Sequence, residues 1–182
     1  MDIYKFSCHC NLCRTKKHDR DMLQDFDSSM TISKQDSVKD LLHELHNLCD
    51  ARNFQQIYNI TSGYVEREYL PVENIYMAKI LDFAMDAAIE LKMFDSAFQH
   101  GAAALNAYRK YLDESHPLTG LQIMKLGKIL LYQEKNEDAL QMLLKALKIL
   151  QITYSKTGII MQSLTKLVAQ CQVELRHKNR GE

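Results

Sequence analysis

A chain of 182 residues, 46% hydrophobic and 25% charged, can form one packed domain with at most a small appendage. Lys plus Arg and Asp plus Glu each total 23, so no net charge draws the chain toward nucleic acid or an anionic membrane. No apolar run approaches the roughly 18 residues of a membrane span, and Met1-Asp2-Ile3-Tyr4-Lys5-Phe6 lacks the apolar core of a secretory signal.

The first distinctive stretch is Tyr4-Lys5-Phe6-Ser7-Cys8-His9-Cys10-Asn11-Leu12-Cys13-Arg14. Cys-x-Cys-x-x-Cys puts three thiols on one tight loop. Zinc takes four ligands in a tetrahedron and favours thiolate, so Cys8, Cys10 and Cys13 are candidate ligands with one position left to fill. A reduced loop without metal is the plain alternative. Five cysteines, three of them within residues 8–13, fit metal binding in a reducing compartment better than a disulfide framework, which places the expected setting in cytoplasm or nucleus. The sequence supplies no clear fourth ligand. His9 breaks the alternation of its neighbours, His18 lies further on, and Cys49 and Cys171 sit on apolar helical stripes that predict buried core thiols.

Residues 15–36 are polar with little periodicity and read as a linker. From Ser37 to the C-terminus apolar residues keep helical spacing, with no strand pattern. The first stripe, Leu41, Leu42, Leu45, Leu48 and Cys49, ends at Asp50-Ala51-Arg52-Asn53; a second runs from Phe54 to Tyr64. Helices are then predicted at about 74–92, 94–112, 117–134, 136–154 and 158–178, with His116-Pro117 marking a boundary. About seven helices in an all-α antiparallel array result.

The array repeats. Ala97 and Ala139, Ala104 and Ala146, and Leu105 and Leu147 each stand 42 residues apart. Leu126-Gly127, Leu130, Ala139, Leu143 and Ala146 follow the tetratricopeptide (TPR) pattern, in which small residues let two helices approach and large ones fill the grooves. The 74–116 unit matches more loosely, 37–68 reads as a degenerate first unit, and the last helix caps the stack. Lys125, Lys128, Lys145 and Lys148 recur on neighbouring helices; a solvated face is the default, and a groove gripping an acidic peptide terminus is the alternative.

The aromatic-x-Phe-x-Cys-x-Cys-x-x-Cys segment resembles the post-SET motif of SET-domain lysine methyltransferases. The remainder of the chain is similar to the C-terminal domain of the SET- and MYND-domain-containing (SMYD) family. Asn74-Ile75-Tyr76, Leu81-Asp82, Ala84-Met85-Asp86-Ala87, Ser115-His116-Pro117, Met124-Lys125 and Gly127-Lys128 carry the likeness in the family's order. The resemblance implies a post-SET zinc segment at 1–14, a linker at 15–36 and a TPR-like domain at 37–182. Cys8, Cys10 and Cys13 would bind zinc, with the fourth ligand from a SET core. Tyr4 would wall the lysine channel, and Phe6 would pack on the adenine of S-adenosylmethionine. Partners so implied are that SET core and histone or other protein substrates; the lysine groove adds a chaperone's acidic C-terminal peptide, although the Asn and Lys pattern of chaperone-binding TPRs is not clearly present, and the balanced charge leaves out nucleic acid and membrane. The SET core and MYND finger lie outside this sequence. The expectation is therefore a methyltransferase C-terminal part, inert alone, whose helical domain gates the substrate cleft or binds protein partners; a stand-alone TPR adaptor is the other reading.

Overall fold

The computed structural model describes residues 8–16, 18–23 and 32–178, and every regular element within them is helical. Two short helices, α1 (Asn11–Thr15) and α2 (Asp19–Met22), precede seven long ones. These are α3 (Ile32–Asp50), α4 (Phe54–Glu66), α5 (Ile75–Glu90), α6 (Phe94–Tyr111), α7 (Pro117–Tyr132), α8 (Asn136–Thr153) and α9 (Ile159–Lys178). Each long helix packs on the next, from α3 on α4 to α8 on α9. Among the described residues no helix is long and apolar enough to cross a membrane.

Three of the helix pairs share one turn. Arg52, Lys92 and Glu134 hold φ of 54°, 60° and 59°. Each is followed by a residue near φ −87°, ψ 64°: Asn53 at −87° and 63°, Met93 at −89° and 66°, Lys135 at −85° and 62°. The amides of Asn53, Met93 and Lys135 then bond back to the carbonyls of Leu48, Ala88 and Leu130 at 2.9, 2.8 and 3.0 Å. This is a Schellman-type closure, in which a left-handed residue lets the chain satisfy the last carbonyls of one helix while entering the next. Its recurrence makes α3–α4 a true first unit beside α5–α6 and α7–α8.

Inside the units, large and small residues trade places. Gly127 on α7 faces Leu143 on α8 so closely that a Cβ at Gly127 would stand 2.9 Å from Leu143 Cδ2. Forty-two residues earlier the roles reverse: Met85 on α5 faces Gly101 on α6, and a Cβ at Gly101 would stand 2.6 Å from Met85 Sδ. The volume at this crossing is conserved while the helix that supplies it changes. Gly120 makes a second close approach, with Ile149 and Leu150 as neighbours. Gln122, buried on α7, donates from Nε2 to the Gly101 carbonyl at 3.1 Å and so ties the second unit to the third. The expected small residues Ala84, Ala88, Ala97, Ala104, Ala139 and Ala146 are all buried.

Helix α9 turns Met161, Leu164, Val168 and Cys171 inward. Gln162, Ser163, Lys166 and Gln170 remain exposed, as do Ile159 and Val173.

Two expectations are corrected. The stretch 15–36 is not wholly a linker: α2 lies within it, and α3 begins at Ile32, ahead of Ser37. Cys49 is exposed, not a core thiol. The inward stripe of α3 runs Val38, Leu42, Leu45 and then the half-buried Leu48, which leaves Cys49 on the solvent side of the last turn.

Candidate functional site

Cys8 and Cys10 lie just before α1, and Cys13 lies on it. The turn is held locally. Arg14 N donates to the Cys10 carbonyl at 2.9 Å, Thr15 Oγ1 to the Asn11 carbonyl at 2.7 Å, and Cys13 N to Cys10 Sγ at 3.5 Å. Folding the chain back over Asn11 brings the three Sγ atoms within 4.8 Å of one another, all exposed and none in a disulfide.

The donor set fits zinc. Tetrahedral zinc–thiolate bonds of about 2.3 Å would put the sulfurs about 3.8 Å apart, which modest side-chain rotation reaches. The electrostatics also call for a cation. Hydrogen bonding with Cys8 and then Cys10, reinforced by their charge, pushes the Cys13 thiol up to about 11, because crowded sulfurs cannot all ionise without a positive centre among them. Among the described residues the cluster contains these three ligands, one short of a closed structural site.

His9 is exposed, and His18 packs edge-on to Tyr111 with ring centroids 5.7 Å apart, which gives it a packing role against α6. Tyr4 and Phe6 lie outside the described residues. Cys171 is the buried core thiol its stripe predicts, and burial raises its pKa. His116 is a helix-boundary residue as expected: its Nδ1 accepts from Leu118 N at 3.2 Å and caps α7.

Lys125, Lys128 and Lys145 have separate surroundings. Lys125 reaches Asp86 of α5 at 2.7 Å, and Lys128 stands 5.9 Å from the Tyr132 ring centroid. Lys145 instead lines a cleft with Phe98 and Arg109 of α6.

A half-buried polar pair was not legible in the sequence. Tyr108 on α6 donates its hydroxyl to Asp82 Oδ2 on α5. Burial raises Asp82, an effect eased by the Tyr108 bond, and burial together with the carboxylate raises Tyr108. The available signal was an acid set between the inward Leu81 and Ala84; its partner, 26 residues away, was not deducible without the fold.

The tetratricopeptide repeat family model matches residues 76–152. Histone-lysine N-methyltransferase SMYD3 of Homo sapiens is 32% identical over 177 residues, covering 96% of this chain and 40% of that protein. The Mus musculus protein of the same name is 31% identical with the same coverage. N-lysine methyltransferase SMYD2-A of Xenopus laevis is 28% identical over 167 residues, covering 85% of this chain and 38% of its own length. The chain thus spans about two fifths of the length of these curated relatives.

Proposed function

We propose, from the premise that this chain is a homologue of the SMYD lysine methyltransferases over almost its whole length, that it is the C-terminal part of such an enzyme. One observation carries the reading: three exposed thiols gathered within 4.8 Å, N-terminal in sequence to a TPR-like array, in the order that the likeness to a post-SET segment requires. Cys8, Cys10 and Cys13 would hold zinc together with a fourth ligand from a SET core. Zinc would fix the loop. Tyr4 then walls a lysine channel, while Phe6 packs on the adenine of S-adenosylmethionine, which supplies the methyl group. The helical domain gates the cleft that admits histone or other protein substrates, or holds a protein partner. Cytoplasm and nucleus are the proposed settings. A stand-alone adaptor is the second reading, favoured by the repeat match over residues 76–152.

The test joins the chain to the SET core of a relative and follows methyl transfer from labelled S-adenosylmethionine to histone. No transfer is expected from the chain alone. The joined protein should be active and lose at least tenfold with Cys10→Ser, with zinc content falling in parallel. Equal activity of the Cys10→Ser protein would remove the metal reading, and turnover by the chain alone would show that no SET core is needed.

A further inference from the structure

The second helices of successive units leave grooves between them, and the grooves differ. The one between α4 and α6 encloses about 650 Å³ and is floored by Leu70, Met77 and Leu81 beneath Gln99, His100 and Ala103 of α6. The one between α6 and α8 is smaller, about 400 Å³, and is lined by Gln141, Met142 and Lys145 of α8. These three residues stand 42 positions after Gln99, His100 and Ala103, so the grooves are counterparts in the repeat. Where the first is lined by the short Ala103, the second is lined by the longer Lys145. Glu68 and Glu73 bring negative charge to the first, whose lining includes no Lys or Arg, while Arg109 and Lys145 against Asp138 make the second basic.

Two features of the first groove bear on what it takes. Its connecting segment carries Val72, 47% exposed, beside a floor that is buried only at Leu70, Met77 and Leu81. An apolar slot of this size accepts one or two large side chains. Exposed carboxylates at Glu68 and Glu73 favour a partner with positive charge on either side of that anchor. We propose that the α4–α6 groove docks a short basic segment of a partner protein, inserting an aliphatic or aromatic anchor between flanking Lys or Arg residues. This goes beyond the methyltransferase reading and does not depend on the thiol loop.

Fluorescence anisotropy of the full chain tests it with a fluorescein-labelled probe, Lys-Arg-Leu-Phe-Arg-Lys. Binding is expected with Kd on the order of tens of micromolar, which weakens as salt rises. Replacing the Leu-Phe anchor by Ser-Ser, or the basic flanks by Glu, should weaken it at least tenfold. Glu68→Gln with Glu73→Gln, both exposed positions, should cost a similar factor without disturbing the fold. Ala103→Lys, copying the counterpart groove, should close the slot, whereas Lys145→Ala should leave affinity within twofold. No binding below 1 mM, equal binding of the Glu-flanked probe, or retention of affinity after loss of both glutamates would overturn the proposal. So would a dimer in sedimentation that dissolves with Glu68→Gln and Glu73→Gln, since the occupant would then be a second copy.

Discussion

Leu143 is wholly buried between α7 and α8, whereas Cys8, Cys10 and Cys13, which carry the most distinctive chemistry, are all exposed. The contrast extends to what holds each region. The array is closed by its own side chains: Gly127 admits Leu143, Gly101 admits Met85, and Gln122 spans two units. The thiol segment is a short turn in which Cys8 and Cys10 raise the pKa of Cys13, and its geometry fits an ion not supplied by the polypeptide alone. One region derives its order from packing volume and the other from charge, so they should fail separately.

The largest effect tests that separation. Leu143→Ala leaves a cavity against Gly127 and should cost about 3 kcal/mol in denaturant unfolding. The zinc affinity of the thiol segment should stay within threefold. A loss of metal binding parallel to the loss of stability would show that the two regions fold as one. Gly127→Leu should cost about 2 kcal/mol by overpacking. Combining Gly127→Met with Leu143→Gly reproduces the arrangement of Met85 and Gly101, and should be less damaging than the two single changes summed. Strict additivity would mean that the crossing does not conserve volume as the two units imply.

The thiol segment should respond instead to protons. Zinc must displace the thiol protons, and the Cys13 value near 11 keeps that thiol protonated at neutral pH in the metal-free chain. Affinity therefore rises with pH, about tenfold per unit for each proton released, or about a thousandfold between pH 6.5 and 7.5 when all three thiols release theirs. Competition with a chromophoric chelator measures this. A flat profile would mean that the thiols do not bind as thiolates.

Much of the array was legible because period and packing coincide. The stripe through Leu164, Val168 and Cys171 is inward as spacing predicts, and the small residues Ala97, Ala139 and Ala146 stand where helices meet. Cys49 misled because a stripe shows which face is apolar but not where cover ends: Leu48 takes the last inward place. Gly101 and Gly120 were unread, since a close approach belongs to two helices and only one was in view. For the candidate site, spacing predicted the gathering of the three thiols. It could not show the turn of α1 that places Cys13, nor the opposed charges of two grooves whose lining residues come from three or more segments.

Within the array, Asp82 is the place where charge rather than volume governs. Burial raises its pKa above the ordinary carboxylate value in the folded chain, so folding favours the protonated carboxyl. That contribution is complete below the unfolded value, near 4, and is lost as pH climbs through the folded one. An Asp82→Asn chain keeps an oxygen for Tyr108 but loses the titration. The stability of the parent relative to this variant should therefore fall between pH 4 and pH 7, by less than the Leu143→Ala effect. A difference that rises over the same range would mean that Asp82 is stabilised as the anion, and that packing and charge are not separated even here.

The smallest effect concerns the turns that the three units share. Glu134 sits at φ 59°, in the left-handed region where a side chain costs about 1–2 kcal/mol and glycine costs almost nothing. Glycine also has more freedom to lose on folding, about 0.5–1 kcal/mol. The balance predicts that Glu134→Gly stabilises the array by about 0.5 kcal/mol, read as a small rise in denaturant midpoint. Lys92→Gly should behave alike, since Lys92 holds φ 60° and the amide after it makes the same return bond, from Met93 to Ala88. The thiol segment has a left-handed residue too, Lys16 at φ 48°, just after α1. Lys16→Gly should relieve strain there without moving the array's midpoint, because that turn closes α1 and not a packed pair. If the midpoint moved as far with Lys16→Gly as with Glu134→Gly, the order of the thiol segment would be part of the array's own cooperativity.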